Sequence, residues 1–188
     1  MLRIITGTAK GKKIETLEGD ATRPTSERIK EAVFSSIQFD IENRRVLDLF
    51  AGSGQLGLET LSRGADTAMF VDSAREAIDV VKRNANATGF FDKSKYLVSD
   101  WRNYIRKASG RVKFDLVFID PPYAMECSAE ALKRLMTADM LERGAIVVLE
   151  CGTERINLSD FPEFDVIKST EYGKKTSVNI LLYRGAEQ

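Results

Sequence analysis

Arg45-Val46-Leu47-Asp48-Leu49-Phe50, followed at once by Ala51-Gly52-Ser53-Gly54-Gln55-Leu56-Gly57, decides the fold. The first run is mostly apolar and suits a strand buried in a sheet. Gly52, Gly54 and Gly57 then fall in G-x-G-x-x-G spacing, ahead of a helical pattern through Leu58, Leu61 and Ser62. In a strand, glycine bend and helix of this kind, the glycines let the backbone turn sharply and approach a bound nucleotide. The spacing alone does not choose the nucleotide.

Moving outward, the strand Thr67–Val71 ends at Asp72, which lies 20 residues beyond Gly52 and can take a ribose hydroxyl pair, with Ser73 beside it. A nicotinamide dehydrogenase would show both features. Asp48 separates the readings, because it places an acid inside the first strand, where a dehydrogenase strand stays apolar up to the glycines. A carboxylate there can bind the ammonium of an amino-acid-bearing cofactor, which S-adenosylmethionine has and NAD lacks. An amphipathic helix from Ala74 to about Thr88 follows, with Ala77, Ile78, Val81 and Ala85 inside and Gly89 as its stop. The strand Tyr96–Asp100 then sets Ser99, Asp100 and Trp101 over the adenine end of a bound nucleotide. Asp100 serves equally as the N-cap of a helix Trp101–Ala108.

The second decisive stretch is Asp120-Pro121-Pro122-Tyr123, at the end of the apolar run Phe114–Ile119. That run fits a strand buried on both faces, so Asp120 lands at a carboxyl end, where open α/β sheets bind ligands. Two prolines remove two backbone donors and leave acceptors. The Asp120 carboxylate and a proline-turn carbonyl can take the two N–H bonds of an amino group on a planar ring, with the Tyr123 ring as a stacking surface. Held so, the nitrogen lone pair is aimed at an electrophile.

Residues 2 to 17 read as a β-hairpin, Leu2–Ile5 and Lys12–Leu17 around Gly7-Thr8-Ala9-Lys10-Gly11. It carries Arg3, Lys10, Lys12 and Lys13 with no acid before Glu15, a candidate grip on phosphates. Thr22-Arg23-Pro24-Thr25-Ser26 is a stiffened turn into a helix from about Ser26 to Phe39, capped by Thr25 or Ser26. Arg23 and Arg28 flank its start, where cations do not serve the helix dipole and suit an anionic partner. Toward the other end, a helix around Ser128–Met136 precedes the strand Ala145–Glu150, and Phe164–Thr170 with Ser177–Tyr183 forms an antiparallel hairpin. The expected fold is α/β: a mostly parallel sheet with a C-terminal antiparallel strand, plus an N-terminal β-hairpin. It forms one domain over 1–188, with 1–21 a basic appendage, 22–43 a leading turn and helix, and 44–188 the cofactor-binding and catalytic sheet.

Composition narrows the chemistry. With 28 basic and 28 acidic residues, the chain does not coat nucleic acid indiscriminately, so such a partner must be met by a local patch. With no histidine, Ser-His-Asp and Cys-His catalysis and histidine metal sites are excluded. Cys127 and Cys151 are too few for a four-cysteine zinc site and read as reduced packing residues, so no metal is expected. No apolar stretch approaches the roughly 18 residues of a spanning helix, and no leader is evident at Met1, so a cytoplasmic protein without a membrane partner is expected.

On these residues the chain resembles a class I S-adenosylmethionine-dependent methyltransferase with a Rossmann-like sheet. More narrowly, it resembles the bacterial RsmD-like family, which methylates the exocyclic N2 of a guanine in small-subunit (16S) ribosomal RNA. The likeness rests on Arg3-Ile4-Ile5 with Gly7 and Gly11, Thr22-Arg23-Pro24-Thr25 with Arg28, Asp48 to Gly54, Ser62-Arg63-Gly64-Ala65 and Asp120 to Tyr123. The glycine and proline motifs are shared with DNA adenine N6 methyltransferases, and the basic hairpin with Thr22 to Thr25 narrows the likeness. The resemblance implies a target-amine site at Asp120, Pro121, Pro122 and Tyr123. It implies cofactor contacts at Asp48, Phe50, Gly52, Ser53, Gly54, Gly57, Asp72, Ser73, Asp100 and Trp101, and RNA contacts at Arg3, Lys10, Lys12, Lys13, Arg23, Thr25 and Arg28. Its implied partner is ribosomal RNA or a partly assembled small subunit. Gln55 stands where relatives commonly carry a small residue. The rival readings are a DNA adenine methyltransferase, a nicotinamide oxidoreductase and a non-enzymatic RNA-binding module.

Overall fold

Runs of branched and aromatic residues become strands wherever both faces find a cover. The computed structural model describes residues 2–17, 24–154, 156–174 and 176–185, without the side chains of Pro24, Thr25, Ser26 and Tyr123. In chain order these form β1 (Leu2–Arg3), β2 (Lys13–Ile14), α1 (Pro24–Ser36), β3 (Arg45–Asp48), α2 (Gln55–Ser62), β4 (Thr67–Asp72) and α3 (Arg75–Thr88). Next come β5 (Ser94–Val98), α4 (Trp101–Ala108), β6 (Phe114–Ile119), α5 (Ser128–Thr137), β7 (Leu141–Cys151), β8 (Phe164–Tyr172) and β9 (Thr176–Tyr183).

The large sheet runs β5-β4-β3-β6-β7-β9-β8. Its first five strands are mutually parallel, and β9 is antiparallel to both β7 and β8, as expected for the C-terminal hairpin. The chain builds outward from β3 to β5, then returns to place β6 on the other side of β3. That reversal makes β3 and β6 a topological switch point, with a crevice at their carboxyl ends. Alternation along β6 shows how the layers form. Leu116 and Phe118 join the core under α1, α2 and α3, while Val117 and Ile119 join the core under α4 and α5. All four are fully buried, each contributing about 1.5–3 kcal/mol.

Several boundaries differ from the sequence expectation. Helix α1 starts at Pro24, whose fixed φ suits a first helical position, so Thr25 and Ser26 lie inside the helix instead of capping it. It ends at Ser36, short of Phe39, whose side chain is 92% exposed and has no core to bury. β5 lies two residues earlier than expected, because it already pairs with β4 from Ser94 and Asp100 is taken as the cap of α4. β7 begins at Leu141, before Ala145: Gly144 at φ 86 and a register shift between Phe114 and Leu116 let Leu141 pair with Phe114 first.

The hairpin ladder is the largest difference. Leu2↔Ile14 and Arg3↔Lys13 pair, and Ile4 still bonds to Lys12 and Gly11 across the turn, where Leu2–Ile5 and Lys12–Leu17 were expected. From Ile5 on, the backbone turns to other partners. Ile5 N and Thr6 N donate to the Glu59 carboxylate at 2.8 and 3.0 Å, and Thr8 N donates to the Ser62 carbonyl at 2.8 Å. Gly7, at φ +87, lies so close to α2 that a Cβ would sit 1.8 Å from the Ser62 carbonyl oxygen. Leu2, Ile4, Ala9 and Ile14 join the core beside α1 and α2, so the basic hairpin is packed into the domain. Both cysteines are free and buried, and among the described residues no helix is long and apolar enough to cross a membrane.

Glu59 is fully buried and is the centre of this docking. Besides the two amides it pairs with Lys30 of α1 at 3.4 Å and with Arg63 at 2.8 Å, and Lys30 also donates to the Arg3 carbonyl. Burial pushes the Lys30 ammonium below its ordinary range, and Glu59 pulls it back up. Removing one partner of such a pair strands the other charge. Glu59→Ala should therefore lower the unfolding free energy by about 3–5 kcal/mol in urea titration. An unchanged midpoint would contradict this account of the docking.

Candidate active site at the carboxyl edge of the sheet

After β3 the chain stays attached to both neighbours. Leu49 N donates to the Phe118 carbonyl at 3.2 Å and Ala51 N to the Val71 carbonyl at 2.9 Å. It then bends through Gly52 at φ 53 and Gly54 at φ 78, where a side chain would be strained. Gly57 is fixed for another reason: a Cβ there would lie 2.4 Å from the Phe70 ring, so α2 packs directly on β4. Two acids hold the bend. Asp72 accepts from Gly52 N at 2.9 Å and from Ala74 N at 2.9 Å through its other oxygen. Asp48 accepts from Gly57 N at 3.1 Å.

Asp48 is 2% exposed, and burial is the main reason its carboxyl is pushed up to about 7. The Gly57 N–H opposes that shift and the neighbouring Asp72 charge adds to it. Ser53 is buried and its carbonyl accepts from Asn84 at 2.9 Å, while Ser73 is exposed. Gln55, at the head of α2, has its Oε1 buried with no partner among the described residues.

The nucleotide-facing expectations at the end of β5 fare differently. Asp100 is the N-cap of α4 and accepts from Arg102 N and Asn103 N, and Ser99 N donates to the Asp72 carbonyl at 2.8 Å. Trp101 is 3% exposed and its ring packs near Phe50, with centroids 5.9 Å apart. The Arg102 guanidinium covers the indole at 4.2 Å, so a base stacking on that face would have to displace it. The Trp101 Nε1 is buried without a partner among the described residues.

On the far side of the switch point, Ile119 pairs in register with Leu149 and the chain leaves β6 at Asp120. Asp120 is half-buried, Pro121 buried and Pro122 exposed. Pro122, at φ −52 and ψ 132, leads a short turn Tyr123–Met125, closed by Met125 N donating to the Pro122 carbonyl at 2.8 Å. The Tyr123 ring lies outside the described residues. The loop after β7 braces this corner, a feature the sequence reading missed. The Glu154 carboxylate accepts from Ser128 N and Ala129 N at 2.8 and 3.1 Å, capping α5, and Thr153 donates to Glu126 at 2.7 Å. The available signal was an acid shortly after an apolar strand, which says nothing about which helix it caps.

Asp48 and Phe118 are register partners, and Asp120 stands two residues past Phe118, so the bend and the corner leave adjacent strands at one edge. Of the expected RNA contacts, Arg3, Lys10, Lys12, Lys13 and Arg28 are exposed. Lys12 also donates to the Ala87 and Thr88 carbonyls at the end of α3. Arg23 and the Thr25 side chain lie outside the described residues.

The buried Asp48 gives a pH signature. A carboxyl whose folded pKa is raised binds its proton more tightly in the native state, so its contribution falls as pH rises from about 4 toward about 7. Asp48→Asn removes that slope. Relative to the variant, the wild type should lose up to about 4 kcal/mol of unfolding free energy between pH 4 and pH 8. Parallel stability–pH curves for the two proteins would show that Asp48 is not so perturbed.

The family profile described as Conserved hypothetical protein 95 matches residues 2–181. A Bacillus subtilis protein described as a candidate rRNA methyltransferase, YlbH, is 36% identical over 158 residues, covering 81% of this chain and 84% of that one. Ribosomal RNA small subunit methyltransferase D of Escherichia coli is 30% identical over 153 residues, 81% of this chain and 76% of that one. Among solved structures, a candidate methyltransferase of Escherichia coli, YhhF, superposes with a TM-score of 0.86 at 25% identity, over 98% of this chain and 99% of that one. A match over almost the whole length, with the glycine bend and proline corner inside it, places the chain in the Conserved hypothetical protein 95 family of RsmD-like methyltransferases.

Proposed function

We propose that this protein transfers a methyl group from S-adenosylmethionine to the exocyclic N2 amine of a guanine in small-subunit ribosomal RNA. The observation that carries the reading is the placement of the glycine bend and the Asp120 corner on neighbouring strands β3 and β6, at the switch point of the sheet. The relatives' names supply the ribosomal RNA, and the RsmD-like resemblance supplies guanine N2.

The donor set suits the cofactor. Asp72 has lone pairs left beyond its two amide bonds for ribose hydroxyls, and Asp48 is a buried carboxylate that a cofactor ammonium would stabilise. Among the described residues, Gln55 Oε1 at the head of α2 is a buried acceptor without a partner, as a site shaped for a polar ligand leaves one. When bound, S-adenosylmethionine supplies a methyl group on a positively charged sulfur. The protein's own task is then orientation and charge placement. Asp120 and the Pro121 carbonyl take the amine's two N–H bonds and turn its lone pair toward the crevice, and Pro122 has no N–H to compete for those acceptors. Asp120 also receives or relays the proton that leaves the amine. The target base is splayed from its stack onto Tyr123, while Arg3, Lys10, Lys12, Lys13, Arg23 and Arg28 grip phosphates.

Tritium transfer from labelled S-adenosylmethionine to small-subunit RNA or assembly intermediates, with the product nucleoside identified, tests this reading. N2-methylguanosine is expected. Label appearing only in DNA as N6-methyladenine would overturn it. Asp120→Ala should slow transfer by about 10²-fold or more while S-adenosylhomocysteine binding changes by less than about threefold. Turnover near the wild-type rate would remove Asp120 from the site. The raised Asp48 carboxyl adds a pH effect on the cofactor itself, because only the charged form pairs with an ammonium. The Kd for S-adenosylhomocysteine should rise toward tenfold per pH unit below about 7. A flat Kd between pH 8 and pH 6 would separate Asp48 from that ammonium.

A further inference from the structure

Asn84, on α3, is 1% exposed and belongs neither to the bend nor to the basic hairpin, yet it is bonded to both. Its Oδ1 accepts from Glu15 N at 2.8 Å, and its Nδ2 donates to the Glu15 carbonyl at 3.0 Å. The same Nδ2 donates to the carbonyl of Ser53 at 2.9 Å, and Ser53 stands between Gly52 and Gly54. Glu15 directly follows β2, the second strand of the hairpin. One turn back on α3, the Val81 methyls lie 3.0 and 3.1 Å from where a Cβ on Gly54 would sit, so this face of the helix is the backing of the bend.

The chemistry needs a carboxamide. Two backbone carbonyls and one backbone amide converge on the site, calling for one acceptor and two donors from a single short side chain. Asparagine supplies both. Aspartate fills the same volume with acceptors alone, and would face two carbonyl oxygens. The hairpin's other polar attachments do not reach the bend directly: Glu59 and Ser62 hold it to α2, Lys30 holds it to α1, and Lys12 and the Arg83–Glu15 ion pair hold it to α3.

We infer that Asn84 is a positioning residue shared by two halves of the site, fixing the cofactor bend and the basic hairpin relative to each other through one amide. The use of the hairpin on RNA rests on the function proposed above, whereas the tie between bend and hairpin does not. Asn84 touches no reacting atom. It sets where Ser53 and Glu15 lie, so its loss should appear in binding of both ligands more than in turnover.

The test compares Asn84→Asp and Asn84→Ala with Glu59→Gln, which loosens the hairpin without touching the bend. In variants that remain folded at the assay temperature, both Asn84 changes should raise the Kd for S-adenosylhomocysteine by about fivefold and the KM for RNA by about tenfold. At saturation with both ligands, kcat should stay within about threefold of wild type. Glu59→Gln should raise the KM for RNA and leave the Kd within about twofold. A role confined to stability would lower the melting temperature and leave both constants in place. Movement of neither constant, or of only one, in folded Asn84 variants overturns the inference. A measurement on the wild type needs neither variant nor RNA: S-adenosylhomocysteine alone should slow hydrogen exchange of the Glu15 amide by about threefold or more. Unchanged exchange at saturating ligand overturns the tie. If the wild type methylates no RNA, the function proposed above fails, and the exchange result and the Kd still decide the role of Asn84.

Discussion

Two carboxylates holding a glycine bend are the constraint on which the site depends. Asp72 accepts from Gly52 N at the end of β4, and Asp48 accepts from Gly57 N beneath the first turn of α2. Each bond joins a strand to the bend, so the path of the backbone across the carboxyl edge is fixed from two sides. The arrangement carries electrostatic strain. Asp48 is buried with one amide partner and with Asp72 nearby, and its carboxyl is pushed up to about 7. A buried acid in that condition is stabilised by an incoming cation, and the proposed cofactor brings an ammonium.

The bend is also supported from behind. α2 leads away from it to Glu59, where buried charges from α1 and α2 meet two backbone amides of the hairpin. α3 crosses beneath it with Val81 and Asn84. Asn84 joins the hairpin at the start of the chain directly to the cofactor bend, and Glu59 joins it to α2. The corner at Asp120 has separate support from the loop after β7, through Glu154 and Thr153. The two sides of the crevice are thus anchored by different parts of the chain and flank the switch point between β3 and β6.

The parallel core was legible in the sequence for a physical reason. Strands covered on both faces read as continuous apolar runs, and Phe114–Ile119 has the same bounds in the structure. Gly89, expected as a stop, is left-handed at φ 87 where α3 ends. Contacts distant in sequence were not legible. Glu59 reaches Ile5 across 54 positions and Asn84 reaches Glu15 across 69, and no local pattern encodes either. The bonds of Lys12 to the end of α3 were equally hidden, because a lysine in a turn gives no sign of which carbonyls it will meet. Trp101 was expected over the adenine end of a bound nucleotide, and the placement of the Arg102 guanidinium over its ring was not legible. The Asp100 expectation held two roles, and the structure shows the N-cap directly.

The central claim is spatial: a bound sulfonium donor and a ring amine must share the crevice between Gly52–Gly54 and Asp120. A crystal structure of the protein with S-adenosylhomocysteine tests it most directly. The account predicts the amino-acid end of the ligand beside Asp48, the ribose at Asp72, and the sulfur facing the Asp120-Pro121 turn across an open gap. Ligand bound at any other edge of the sheet, or a sulfur directed away from Asp120 with protein side chains filling the gap, would contradict it.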